Sequence, residues 1–152
     1  MRLFRQKALL LVGVLTTACH ETTSPPTQPA LYSLESFNNQ PLPTFLNAGG
    51  GDTTTIISAT LVLDGAANAM IATHSRQVHP NTPPRDATDT VRYTYRVVGD
   101  SVAFDYSPPC PPNALCVAPP YGKSTSTTLT LYSGYTGANA TYLYRLLVSD
   151  PH

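Results

Sequence analysis

The chain has 152 residues, of which 12% are charged and 9% aromatic, with 15 prolines and a formal net charge of zero. The neutrality hides a gradient: Arg2, Arg5 and Lys7 crowd the start, and downstream six basic residues face nine acidic ones, leaving that part about three charges negative. Such a charge, with no basic patch interleaved with aromatics, excludes the electrostatic footprint of a nucleic-acid binder.

The first element in chain order is a leader. Arg2, Arg5 and Lys7 form a positive segment, residues 8–15 an apolar run, and Thr16, Thr17 and Ala18 a small-residue approach to Cys19. This is signal-peptide architecture over residues 1–18, and the apolar run is too short to span a bilayer. The segment "LTTAC" resembles the lipobox of bacterial lipoproteins, in which a small residue precedes a cysteine that is diacylated and becomes the N-terminus. Ala18 and Thr17 fit that pattern, whereas Thr16 stands where it prefers leucine. Ordinary secretory cleavage after Ala18 is the competing reading. The resemblance implies that Cys19 is a lipidation site and that the protein is held in the cell envelope, on the periplasmic face or at the outer membrane. After Cys19, "HETTSPPTQP" cannot pack a core, so residues 19–29 read as anchor plus extended tether. Two acyl chains would hold a domain stably, at about 0.8 kcal/mol per buried methylene.

Residues 30–152 read as one domain, long enough for one modest hydrophobic core. Thr, Tyr and Val are plentiful, which favours strands. "LYSLESF" alternates until the prolines of "NNQPLPTFL" end the ladder or leave only an edge strand. "NAGGGDTTT" reads as a glycine turn. "IISATLVLDG" places Ile57, Ala59, Leu61 and Leu63 on one face and ends in the turn pair Asp64–Gly65; "NAMIATHSRQV" reads as the return strand. "HPNTPPRDATD" reads as a polar loop. The clearest hairpin is "VRYTYRVVGDSVAFDYS": Val91, Tyr93, Tyr95 and Val97 alternate with polar residues, Gly99–Asp100 supplies a two-residue turn, and Val102, Phe104 and Tyr106 share a face on the return.

Next comes "SPPCPPNALCVAPP". With Cys19 lipidated, Cys110 and Cys116 remain as a pair, and an exported chain permits a disulfide. Closing so short a loop is worth roughly 2–2.5 kcal/mol on the chain-entropy model. A zinc site is the rival, but two cysteines at this spacing without a nearby histidine make a poor motif, and a redox-active pair favours closer spacing. The final runs are "STSTTLTLYSG", with Leu129 and Leu131 inward between threonines, and the more continuously apolar "ATYLYRLLVS". No window carries a helical period.

The reading is therefore all-β, with about seven or eight antiparallel strands. A small up-and-down barrel, which removes sheet edges, is the first expectation and a two-sheet sandwich the second. "YSLESFNNQPLP" resembles the opening of small exported bacterial proteins with lipocalin-like barrels, and "ISATLVLDG", "YRVVGDSVAF" and "LTLYSG…YLYR" follow in that family's order. Asn39 stands where glycine is usual there, and the "PPCPPNALCVAPPYGK" loop is an insertion. The resemblance implies a lipocalin-like fold and export, and assigns no ligand.

For chemistry, His74 and His79 are five apart and fall on opposite strand faces, a poor metal pair. The acids occur singly, and Asp64 and Asp100 sit in turns where short acids bond their own backbone. No nucleophile elbow or phosphate loop occurs. The expectation is a non-enzyme without cofactor or metal. Tyrosines cluster in the second half. Tyr93, Tyr95, Phe104, Tyr142 and Tyr144 are the candidate lining of a calyx for a small lipophilic ligand, against the reading of a filled core. The alternative function is an envelope protein-interaction module, an inhibitor or assembly factor, using the proline-rich loops at 79–86 and 107–122.

Overall fold

The computed structural model describes residues 29–49, 51–135 and 138–149; the expectations for the signal peptide and Cys19 lie outside them. Ten strands follow in chain order, with no helix among the described residues: β1 (Ala30–Phe37), β2 (Gln40–Pro41), β3 (Thr44–Gly49), β4 (Asp52–Leu63), β5 (Asn68–Val78), β6 (Arg85–Val98), β7 (Ser101–Tyr106), β8 (Tyr121–Ser124), β9 (Thr128–Tyr135) and β10 (Ala138–Ser149).

Neighbours pair antiparallel in the order β2-β1-β10-β9-β8-β7-β6-β5-β4-β3, and an added β1–β4 pairing closes the sheet on itself. The result is an eight-stranded antiparallel barrel with β2 and β3 outside it. Of the two expected architectures the barrel is the one formed, and it is consistent with a lipocalin-like fold. Closure works because β4 is shared lengthwise: residues 60–63 pair with β1, while residues 52–56 pair with β3.

Turn chemistry explains the hairpins. Asn38 and Asn39 both take positive φ, 49° and 61°, the requirement of a type I′ turn, which asparagine tolerates almost as glycine does. Thr141 donates its N–H to Asn38 Oδ1 at 2.8 Å, tying this turn to β10. In the β4–β5 turn, the Asp64 carboxylate accepts N–H bonds from Ala66 (2.8 Å) and Asn68 (2.9 Å). Those bonds, with the Asn68 side-chain amide foremost, hold its pKa below the usual carboxylate range.

The structure corrects four details of the strand reading. Ile56, not Ile57, is the buried residue, because a bulge between Ile56 and Ser58 shifts the β4 register. Residues 47–49 and 52–55 of the expected glycine turn belong to β3 and β4. β6 begins at Arg85, inside the expected loop, where Arg76 bonds Asp86 through Nε and Nη2 at 2.7 and 2.9 Å. Finally, Tyr121–Ser124 forms β8, a strand hidden in the cysteine loop. Gly122 lets it fit: a Cβ there would collide with the Thr130 carbonyl oxygen of β9.

The two ends of the barrel differ. One carries the short turns at 64–67, 99–100 and 125–127, together with the start of β1 and the end of β10. The other carries the longer links at 79–84 and 107–120, together with the passage from Asn38 through β2 to β3. The core includes Leu61, fully buried, with Leu129, Leu131 and Tyr144 nearly so.

Candidate functional site: an uncharged tyrosine cup

Interior side chains fill the barrel near the short turns and leave a cup of about 220 Å³ toward the long links. β5 and β6 supply Ile71, Thr73, Val91 and Tyr93 to one wall; β9 and β10, across the barrel, supply Leu131, Ser133, Tyr142 and Tyr144. Strand alternation puts them there: Tyr142 and Tyr144 share a face of β10, and the same period turns Val91 and Tyr93 of β6 inward. Tyr106, at the end of β7, closes the wall between them.

A strap completes the mouth. Val117, Ala118 and Pro120 line the cup from the β7–β8 link, and the Phe104 N–H donates to the Pro120 carbonyl at 3.2 Å, fixing the strap to β7. Just before it lies the Cys110–Cys116 disulfide, with Cα atoms 6.2 Å apart, so the expected staple is present. Val117 and Ala118 also border an outer groove of about 420 Å³ beside the disulfide. The strap is thus a thin partition between the cup and that groove.

The cup's polar groups are hydroxyls, and none of its lining residues carries a formal charge. The Tyr93 and Tyr106 rings lie with centroids 5.2 Å apart. Burial, reinforced by Tyr106 and Tyr142, pushes the Tyr93 pKa well above 10.0. Burial does the same to Tyr144, with Tyr142 and Tyr93 adding to it, and burial alone raises Tyr142. These phenols stay protonated throughout the neutral range and serve as donors as well as acceptors.

Of the five candidate lining residues, Tyr93, Tyr142 and Tyr144 meet in the cup. Tyr95 and Phe104 also face inward but pack in the filled half, rings 6.3 Å apart. The buried Tyr95 hydroxyl has no hydrogen-bond partner among the described residues. Burial raises its pKa, and the nearby Asp64 and Tyr32 add to that. The sequence reading places Tyr106 in the aromatic cluster but not in the lining; its spacing two residues beyond Phe104 is the available signal. Thr73, Ser133 and the strap carry no local signal. His79 sits outside the cup, where its Nδ1 lies 3.0 Å from Asp52.

Compared with protein-family models, curated proteins and solved structures, the chain gives no match.

Proposed function

We propose that this chain is an exported envelope lipoprotein, acylated at Cys19, whose barrel carries a small lipophilic molecule in the tyrosine cup without transforming it. The observation that carries the reading is the cup itself: concave, mostly apolar, and equipped with a few convergent hydroxyls, the usual form of a small-molecule site. The cup's lining holds no carboxylate, histidine, lysine or cysteine, and burial keeps the phenols of Tyr93, Tyr142 and Tyr144 protonated near neutral pH. These three are therefore poorly suited to act as a general base, which supports a non-catalytic role. The leader, "LTTAC" and the tether support the anchor. Because β1 starts at the packed end, the tether joins the barrel at the end opposite the cup.

Native mass spectrometry of the full-length protein extracted from membranes tests the carrier reading. An extra mass released on unfolding is the expected result; a bare protein even after incubation with lipid and aromatic libraries overturns it. Intact-mass comparison with Cys19→Ser tests the anchor, and a wild-type mass equal to the bare cleaved chain removes it. One observation favours the second reading, a protein-contact module: Leu115, inside the disulfide loop, is fully exposed. Under that reading a Leu115→Ser substitution abolishes partner capture and leaves ligand mass unchanged.

A further inference from the structure

The carrier reading leaves open what kind of molecule the cup accepts, and three features of the cup bear on that. The first is size. An apolar cavity of about 150 Å³ holds benzene, and drug-sized ligands occupy roughly 300–1,000 Å³. At about 220 Å³ the cup matches one substituted ring. Its floor is the filled half of the barrel, where Leu61, Phe104 and Leu129 are almost wholly buried, so an acyl chain has no channel to thread.

The second feature is charge. The cup's formally neutral lining offers a carboxylate no cation. Four basic side chains of the barrel lie in exposed ion pairs, Arg76 with Asp86, Arg96 with Asp105, Lys123 with Asp100 and Arg145 with Glu35, and Arg85 and Arg92 of β6 are exposed and do not line the cup. A buried charge without a partner is strongly disfavoured. The same penalty already acts on the cup's own groups, since burial is the leading cause that keeps Tyr93, Tyr142 and Tyr144 from ionising.

The third is hydrogen bonding. The hydroxyls of Tyr93 and Tyr106, with those of Thr73 and Ser133 among the lining residues, provide both donors and acceptors. A hydrocarbon would leave them without a new partner, whereas an alcohol, phenol or carbonyl meets them.

Resting on the carrier reading, we infer that the cup selects a neutral molecule of about one substituted ring, bearing a hydroxyl or carbonyl group, and discriminates against carboxylates, fatty acids included. The selectivity comes from the hydroxyls of Tyr93 and Tyr106 and from the uncharged wall.

The test uses fluorine NMR on the full-length protein in nanodiscs at pH 7, with empty nanodiscs subtracted. The probes are the matched pair 4-fluorobenzyl alcohol and 4-fluorobenzoate, with 4-fluorotoluene as the apolar isostere and decanoate as competitor. The alcohol is expected to bind at least tenfold more tightly than the benzoate, and decanoate to leave it in place. Tyr106→Phe weakens the alcohol severalfold while leaving fluorotoluene unchanged. Thr73→Phe, which fills the cup, abolishes binding, and Ser133→Phe does so from the opposite wall should the first variant fail to fold. Benzoate binding as tightly as the alcohol, or displacement by decanoate, overturns the inference and leaves the carrier reading standing. Failure of every ring probe, with a larger lipid co-purifying in native mass spectrometry, has the same meaning. Failure of every ring probe with no co-purifying mass overturns both.

Discussion

Tyr95 and Tyr93 lie two residues apart on one face of one strand, yet their surroundings differ. Tyr95 is enclosed near the short turns, its ring against Phe104; Tyr93 stands at the boundary, its ring between Phe104 and Tyr106 with centroids 5.7 and 5.2 Å away, and it lines the cup. The difference follows the inward side chains: Leu61, Tyr95, Phe104 and Leu129 are buried toward the short turns, whereas Thr73, Val91 and Ser133 line the cup toward the long links. The link at 107–120 then supplies the strap over that mouth.

Breaking the solid half gives the largest effect. Leu61→Ala removes a fully buried side chain and is expected to lower stability by about 2–5 kcal/mol in urea denaturation. Val91→Ala, on the half-buried cup wall, costs about 1 kcal/mol. Equal losses at the two sites would erase the distinction between the halves. Next in size, replacing both Cys110 and Cys116 by serine removes about 2–2.5 kcal/mol on the chain-entropy model. Hydrogen exchange should accelerate chiefly in residues 107–120 and leave the filled half protected.

Alkaline pH sharpens the comparison further. Tyr93, Tyr142 and Tyr144 have pKa values raised above the ordinary 10.0 by burial. The unfolded chain therefore loses these protons first, and folded stability, complete below pH 10.0, falls as pH rises above it. Tyr144→Phe should flatten that fall in a series of urea midpoints taken between neutral and alkaline pH. The smallest effect is at the turns of the packed end. Asp64 and Asp100 have depressed pKa values, through Asn68 and Lys123 respectively, so their contribution is present above the unfolded carboxylate pKa and fades as pH drops. Asp64→Asn should reduce the acid sensitivity of the urea midpoint only slightly, since both groups are exposed.

Much of this architecture can be read from residues. Alternation locates β9 and the 91–106 hairpin, β5 follows as the return from the Asp64–Gly65 turn, β10 shows as a more continuously apolar run, and turn pairs such as Gly99–Asp100 fix the joints. Periodicity fails where a strand deviates from strict period two, as at the Ile56–Ser58 bulge, or is too short to show one, as in Tyr121–Ser124. The cup is legible only by half. Tyr142 and Tyr144 announce a shared face, but whether two tyrosines on a face meet a ligand or a leucine depends on barrel height, which is set by pairings between distant strands. A strap from a proline-rich loop has no periodicity at all.

Closure through β1 has a consequence for how the molecule forms. β1 joins β10 on one edge, and the pair Glu35–Arg145 spans 110 positions of sequence; its other edge joins the second half of β4 over four residue pairs. The first strand of the domain thus cannot be sealed on both sides until the last has been synthesised. Chains dominated by such distant pairings fold slowly, on a scale of about milliseconds to seconds, and until closure the meander from β4 to β9 carries two open edges. The charged and threonine-rich residues 85–90 of β6, which pair with β5 alone, add a further exposed margin, and their polarity discourages neighbouring chains from joining it during that wait.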